Sequence, residues 1–195
     1  MLKSRILVVI DMQNDFLTGP LGCMEPERVC NKVLKRLNSG KYDKVFATRD
    51  THYQNTYAST MEGKKLPVLH CVQSTDGWCI EKRIQEALDK LAASDEFKVS
   101  IINKETFGSL DLAYQIKNWT NRECLDEDDL IIDICGVFTD ICVISNATLI
   151  KAAVPNATIR IISNACSCGS EEDQERALKS MEKMHMDILY PVTMQ

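Results

Sequence analysis

The chemically capable residues of this chain sit where apolar runs stop. Ile6 to Ile10 lead straight into Asp11, and a carboxylate at the end of a buried strand is costly unless it is paired or serves a site. In "DICGVFTDICVISNATLIKAA" another apolar run ends at Gly136, a short turn follows, and a helix is expected from about Thr139, with Cys142 in its first turn. There a thiolate gains from the helix dipole and from unpaired backbone N–H groups, which makes Cys142 the candidate nucleophile. Cys135, Cys166 and Cys168 read as buried structural thiols.

A nucleophilic cysteine needs a base, ordinarily a histidine. This chain has three histidines. His52 follows Asp50 by two positions in "RDTHY", and His70 returns in "LPVLHC"; together with Asp50 they form a mixed oxygen and nitrogen set suited to zinc or a related metal. His185 stands alone before the last strand and reads as structural. If two histidines hold a metal, the base falls to Asp11, which can take the thiol proton. Lys104, closing "IINK", then supplies a cation between two acids and steadies both the carboxylate and the thiolate.

These residues need elements to bring them together. Val- and Ile-rich runs recur at 5–10, 44–48, 98–103, 129–135 and 157–163, with a weaker one at 186–190, and they are too continuous for a one-sided antiparallel sheet. Helical patterns lie between them at about 26–38, 81–92, 109–119, 139–153 and 171–184, the last opened by "SEED", in which Ser170 and Asp173 have capping-box spacing. The alternation predicts an α/β fold: a doubly wound, mostly parallel six-stranded sheet with helices on both faces. One long interruption, about 50–80, is a functional loop or a small excursion. Asp11, Asp50, Lys104 and the turn before Cys142 each follow a strand, so they share one edge of the sheet, where ligands bind in open parallel sheets.

At 195 residues and 45% hydrophobic, the chain suits one full core, and a single domain over 1–195 is expected. A net charge of -5, with neither a basic stripe nor interleaved aromatics, argues against nucleic acid. No apolar run approaches the ~18 residues of a membrane span and no signal-peptide pattern opens the chain, so a cytoplasmic protein is expected. The nine cysteines are an odd, scattered set without paired C-x-x-C spacing, which indicates reduced thiols and neither a disulfide framework nor an all-cysteine zinc site. On that expectation the N-x-T sequences at Asn118, Asn146 and Asn156 are chance matches. A P-loop or dinucleotide fingerprint is missing, so no nucleotide cofactor is expected.

The strings "ILVVIDMQNDF", "RDTH", "LPVLHC", "INKETFGSLDL" and "ICGVFTDICVISNA", in this order and spacing, resemble the isochorismatase-like cysteine hydrolases, specifically their nicotinamidase branch. The resemblance spans nearly the whole chain. It implies a catalytic triad of Asp11, Lys104 and Cys142 and a cis peptide between Val137 and Phe138. The backbone N–H groups of Phe138 and Cys142 would form the oxyanion hole. Asp50, His52 and His70 would hold a divalent metal, zinc foremost, with iron or manganese as alternatives. It further implies Phe16 packed on the substrate ring, a small-molecule amide as substrate, and a homo-oligomer. The activity so implied is hydrolysis of nicotinamide to nicotinate and ammonia through a thioester, a step in NAD salvage.

Two features depart from the family pattern. Another histidine soon after D-x-H, and an aromatic shortly before the H-C pair, are both missing from "YQNTYASTMEGKKLPVLHC". Glu62 is a candidate for a fourth metal contact and Trp78, in "STDGW", for closing the pocket. The rival readings are a related hydrolase acting on another small amide, a ureido compound or isochorismate, and a non-catalytic ligand-binding module. The cysteine argues against isochorismate, whose cleavage needs no thiol nucleophile.

Overall fold

A computed structural model describes residues 3–191 of the chain. Six strands, β1 (Ser4–Ile10), β2 (Lys44–Asp50), β3 (Val99–Lys104), β4 (Leu130–Val137), β5 (Thr158–Ser167) and β6 (Asp187–Leu189), form one sheet. Their order is β3-β2-β1-β4-β5-β6 and every neighbouring pair is parallel. The continuous apolar runs thus become strands covered on both faces: all of β4 and Ile6–Ile10 of β1 are buried. The strand order reverses between β1 and β4, and the crevice beyond their carboxyl ends is the switch point at which such sheets bind ligands.

Among the described residues, seven α-helices accompany the strands: α1 (Asn14–Leu17), α2 (Pro26–Leu37), α3 (Met61–Lys65), α4 (Lys82–Ser94), α5 (Leu110–Arg122), α6 (Ile144–Ala153) and α7 (Glu171–Lys183). α2 packs against α4, while α5 packs on α6 and α6 on α7, the two groups covering opposite faces as right-handed crossovers require. Polar side chains set the helix starts. Glu81 accepts from Ile84 N, Ser109 Oγ from Leu112 N, and Ser170 Oγ from Asp173 N while donating to Asp173 Oδ2, satisfying N–H groups the first turn leaves unpaired. None of the described helices is long and apolar enough to cross a membrane.

Two elements differ from the sequence expectation, and the 50–80 interruption takes one of its two expected forms. The helix expected over 139–153 opens as a π-helical turn, Thr139–Val143, before α6 begins. β5 runs on to Ser167, with a register irregularity against β4 between Ile134 and Gly136. The 50–80 interruption is an ordered excursion carrying a 3₁₀ turn (Tyr57–Ser59) and α3, closed on itself by a His52↔Val72 bridge and tied to the body by a Gln13↔Ile80 bridge. At the end of β4, Gly136 has φ +122, and a Cβ there would lie 2.0 Å from Ile10 O. Only glycine permits that approach of β4 to β1.

Away from the carboxyl ends of the strands, a polar cluster lies within the core. Asp133, in mid-β4 and fully buried, is bridged by Arg160 Nε (2.6 Å) and Nη2 (2.9 Å) and accepts from Tyr42 Oη (2.7 Å). Such a carboxylate is tolerated only with its partners in place.

Candidate active site

Asp11, Lys104 and Cys142 meet at the switch point, each nearly sealed from solvent (0%, 4% and 4% exposed). β1 ends one residue before Asp11, whose backbone turns into the left-handed region (φ 48). Its Oδ1 accepts from Thr48 Oγ1 at 2.6 Å. Lys104, the last residue of β3, lies with Nζ 2.7 Å from Asp11 Oδ2, 3.3 Å from Asp50 Oδ1 and 3.6 Å from Cys142 Sγ. The ammonium donates to Asp50 Oδ1 and Cys142 Sγ and forms an ion pair with Asp11 Oδ2.

Burial sets the resting protonation, and Lys104 tempers it. Burial pushes the Asp11 carboxyl above its ordinary value, with Lys104 pulling the other way and Asp50 adding to the rise. The Cys142 thiol is pushed well up by burial and by the two carboxylates, again against Lys104. Burial works against the Lys104 charge, but Asp11, Cys142 and Asp50 outweigh it and hold the ammonium above the ordinary lysine range. The thiol therefore rests protonated beside the Lys104 ammonium. Cys135, Cys166 and Cys168 are likewise buried and pushed up, but have no such cation beside them, in keeping with inert core thiols. Among the described residues Cys79 and Cys124 are the exposed cysteines, and all nine are free.

Asp50 faces two ways. Oδ1 meets Lys104, whereas Oδ2 lies 2.9 Å from His52 Nε2 and 3.4 Å from His70 Nε2. Glu62 Oε1 completes the group, 3.5 Å from each of the same nitrogens, and one ligand atom from each of the four residues lies within 4.8 Å of the others. Two details fit a shared cation. His52 Nε2 is buried and makes no hydrogen bond of acceptable geometry despite its proximity to Asp50, as expected of a lone pair aimed at a common point. His70 Nδ1 lies 2.8 Å from Val68 O, so it carries the proton and leaves Nε2 bare toward the carboxylates. Two carboxylates and two imidazoles suit a divalent metal. Without one, burial disfavours both imidazolium forms, yet Asp50 and Glu62 raise His52 and His70 to about 9. Burial is likewise outweighed at Glu62, which the histidines lower to about 2.

Glu62 reaches the cluster because α3 sits tightly on the turn before it. Thr60 Oγ1 accepts from Gly63 N, and a Cβ on Gly63 would lie 2.1 Å from Tyr57 O. Tyr57 itself is buried, its ring edge-on to His52 (4.7 Å) and His70 (5.4 Å), with its hydroxyl donating to Leu66 O.

Phe16, on α1, is buried with its ring centroid 5.4 Å from His70 and 5.5 Å from Phe138. It therefore connects the carboxylate–histidine group with the turn that carries Cys142. The Val137–Phe138 peptide is cis. Trp78 is fixed by two contacts: Arg49 stacks on its ring at 3.8 Å and its Nε1 donates to Thr51 Oγ1, between Asp50 and His52.

Several residues that support the site carry no signal in the sequence reading. Gln13 is fully buried and pairs its side-chain amide with the backbone of Asp50, accepting from Asp50 N (2.7 Å) and donating to Asp50 O (2.8 Å) and Trp78 O (2.9 Å). Asp15 Oδ2 accepts from Cys71 N, anchoring the residue after His70. Asn146 donates to Cys142 O and Phe107 O and accepts from Ser109 N, joining the turn of Cys142 to the loop after Lys104. "MQNDF" and "ISNA" contain three of these residues, but their partners lie far away in sequence.

Solved structures with similar folds include nicotinamidase/pyrazinamidase from Bacillus subtilis (20% identity, 96% of this chain and 100% of that one, TM-score 0.77). Pyrazinamidase/nicotinamidase from Streptococcus mutans is similar at 21% identity, covering 95% of this chain and 100% of that one, with TM-score 0.77. Pyrazinamidase of Pyrococcus horikoshii in complex with zinc is similar at 24% identity, over 96% and 99% of the two chains, with TM-score 0.71. No curated protein sequence matches. The isochorismatase domain profile matches residues 5–189, and on that match over nearly its full length the chain belongs to the isochorismatase domain family.

Proposed function

We propose that this protein is a metal-dependent cysteine amidohydrolase, and specifically a nicotinamidase that converts nicotinamide and water to nicotinate and ammonia. The observation that carries the reading is the Lys104 ammonium in contact with Asp11, Asp50 and Cys142 at once. Such a cation lets a buried carboxylate stay ionised beside a thiol and receive its proton. The structurally similar nicotinamidases and pyrazinamidases support the choice of a small aromatic amide.

In this reading Asp11 accepts the Cys142 proton as Sγ attacks the carboxamide carbon, and the N–H groups of Phe138 and Cys142 take up the charge developing on oxygen. Asp11 returns the proton to the leaving nitrogen, ammonia departs and a thioester remains. Water, losing a proton to Asp11, then attacks the thioester, and Cys142 leaves as the thiol with the acid as product. Lys104 stays charged throughout and holds the two acids in register. Asp50, His52, Glu62 and His70 would hold a divalent metal, zinc foremost, whose Lewis acidity binds a ring nitrogen and so orients the carboxamide. Phe16 packs against the ring.

The test is ammonia release from nicotinamide, before and after chelation and with Cys142→Ala. Release that Cys142→Ala abolishes and chelation suppresses is expected. Turnover of a different amide or ureido compound, indifferent to chelation, would replace this reading with a related hydrolase, and no turnover of any amide with a binding module.

A further inference from the structure

Two lysines are buried among the described residues, and they are treated in opposite ways. Lys104 meets two carboxylates, whereas Lys44, 6% exposed at the start of β2, has none within 4 Å. Its Nζ donates to Phe97 O (2.6 Å) and Ser100 Oγ (2.8 Å) and lies 5.1 Å from the centre of the Phe46 ring. Two neutral acceptors leave a third proton and the whole charge uncompensated, which is costly for a buried ammonium.

Lys44 borders a recess of about 240 Å³ between β2, β3 and α5, walled also by Ser100, Gln115, Asn118, Trp119 and Arg122. Its walls contain no acid. Arg122 is 60% exposed and is held by Glu123 through Nε at 3.2 Å. Asp95 acts on Lys44 more weakly than Arg122 does, and its Oδ1 already accepts from Phe97 N. Burial pushes the Lys44 ammonium down and Arg122 adds to the fall, so this corner holds more positive charge than its own residues neutralise. The space is below the size of drug-like ligand pockets and suits a small ion or fragment. Lys44 opens β2 and Asp50 closes it, placing the recess about 20 Å from the candidate active site.

We propose that this recess is a second binding site, taking a small anion with a carboxylate or phosphate group between the Lys44 ammonium and the Arg122 guanidinium. Both cations donate to oxygen anions with charge-assisted bonds, and the half-buried Trp119 forms part of the wall.

The test is titration of the zinc-supplemented full chain with inorganic phosphate and, separately, benzoate, following the Trp119 indole N–H resonance assigned with Trp78→Phe. Saturation by phosphate alone identifies a phosphate group, by benzoate alone a carboxylate, and by both a general oxyanion site. The expected weakening is about tenfold in Lys44→Met and severalfold in Arg122→Gln. Arg122→Gln, an exposed substitution, decides the matter if Lys44→Met fails to fold. No saturation with either probe, or saturation unchanged in the folded variants, overturns the proposal.

Discussion

Lys104 Nζ lies 3.3 Å from Asp50 Oδ1, while the other oxygen of the same carboxylate faces His52 and His70. One side chain thus belongs both to the ion pairs around the thiol and to the donor set suited to a metal. Chelation is expected to remove substrate orientation and leave the thiol intact. Metal-stripped protein should lose about a hundredfold or more in kcat/KM for nicotinamide, while iodoacetamide still alkylates Cys142. Unchanged turnover after verified metal loss would contradict the assigned role.

Replacing Lys104 by Met leaves Asp11 and Asp50 as buried carboxylates without their shared cation. A loss of about 3–5 kcal/mol in unfolding free energy is expected, as for other broken buried pairs. The fall in kcat/KM should exceed the change produced by Lys44→Met, a distant buried lysine. Denaturant titration and steady-state kinetics of both variants measure this.

The pH dependence follows from Asp11, which must be ionised to accept the thiol proton. Burial, opposed by Lys104, raises it above its ordinary 3.8. Activity should therefore fall on the acid side at a pH above the ordinary carboxylate range. The macroscopic value belongs to the Asp11–Cys142 pair. The linkage has the matching sign: the fold holds this proton more tightly than the unfolded chain, so Asp11's contribution to stability is fully present below pH 3.8 and is lost as pH rises through the folded value. A kcat/KM profile whose acid limb lies at or below 3.8 would contradict this.

Gln13 fixes the backbone of Asp50 through two hydrogen bonds and ties it to Trp78 O through a third. Gln13→Glu keeps the shape but replaces the donor facing two carbonyl oxygens with an acceptor. Zinc affinity, read by competition with a chromophoric chelator, should fall about 10–100-fold, the usual cost of losing support behind a metal ligand. Affinity equal to that of the parent protein would remove Gln13 from this role.

Asp133 supplies a control distant from the chemistry. Asp133→Asn weakens both the Arg160 pair and the Tyr42 bond and should destabilise the fold by about 3 kcal/mol. The kcat/KM of the folded fraction should not change, and a large kinetic effect would point to coupling that the contacts do not show.

The convergence of Asp11, Lys104 and Cys142 was legible because all three follow apolar runs, and a parallel sheet gathers the ends of its strands along one edge. Glu62 was legible only as a candidate, since its approach depends on Gly63 fitting against Tyr57 O. Gln13, Thr48 and Asn146 stayed hidden because each acts through hydrogen bonds to partners about 37 residues away, which no local periodicity encodes. The direction taken by Trp78 depends on Arg49 and Thr51. Asp133 was masked by the apolar run around it, its partners lying 27 and 91 residues away. The π-helical opening before α6 is a local departure from regular helix that hydrophobic pattern does not report.

Turnover by the proposed route requires that Cys142 becomes covalently acylated. Rapid quenching of the zinc-supplemented protein with nicotinamide, followed by peptide mass analysis, should reveal a nicotinoyl group on the peptide bearing Cys142. That adduct should be absent from Cys142→Ala, which should also release no ammonia. Undiminished ammonia release by Cys142→Ala would contradict the account.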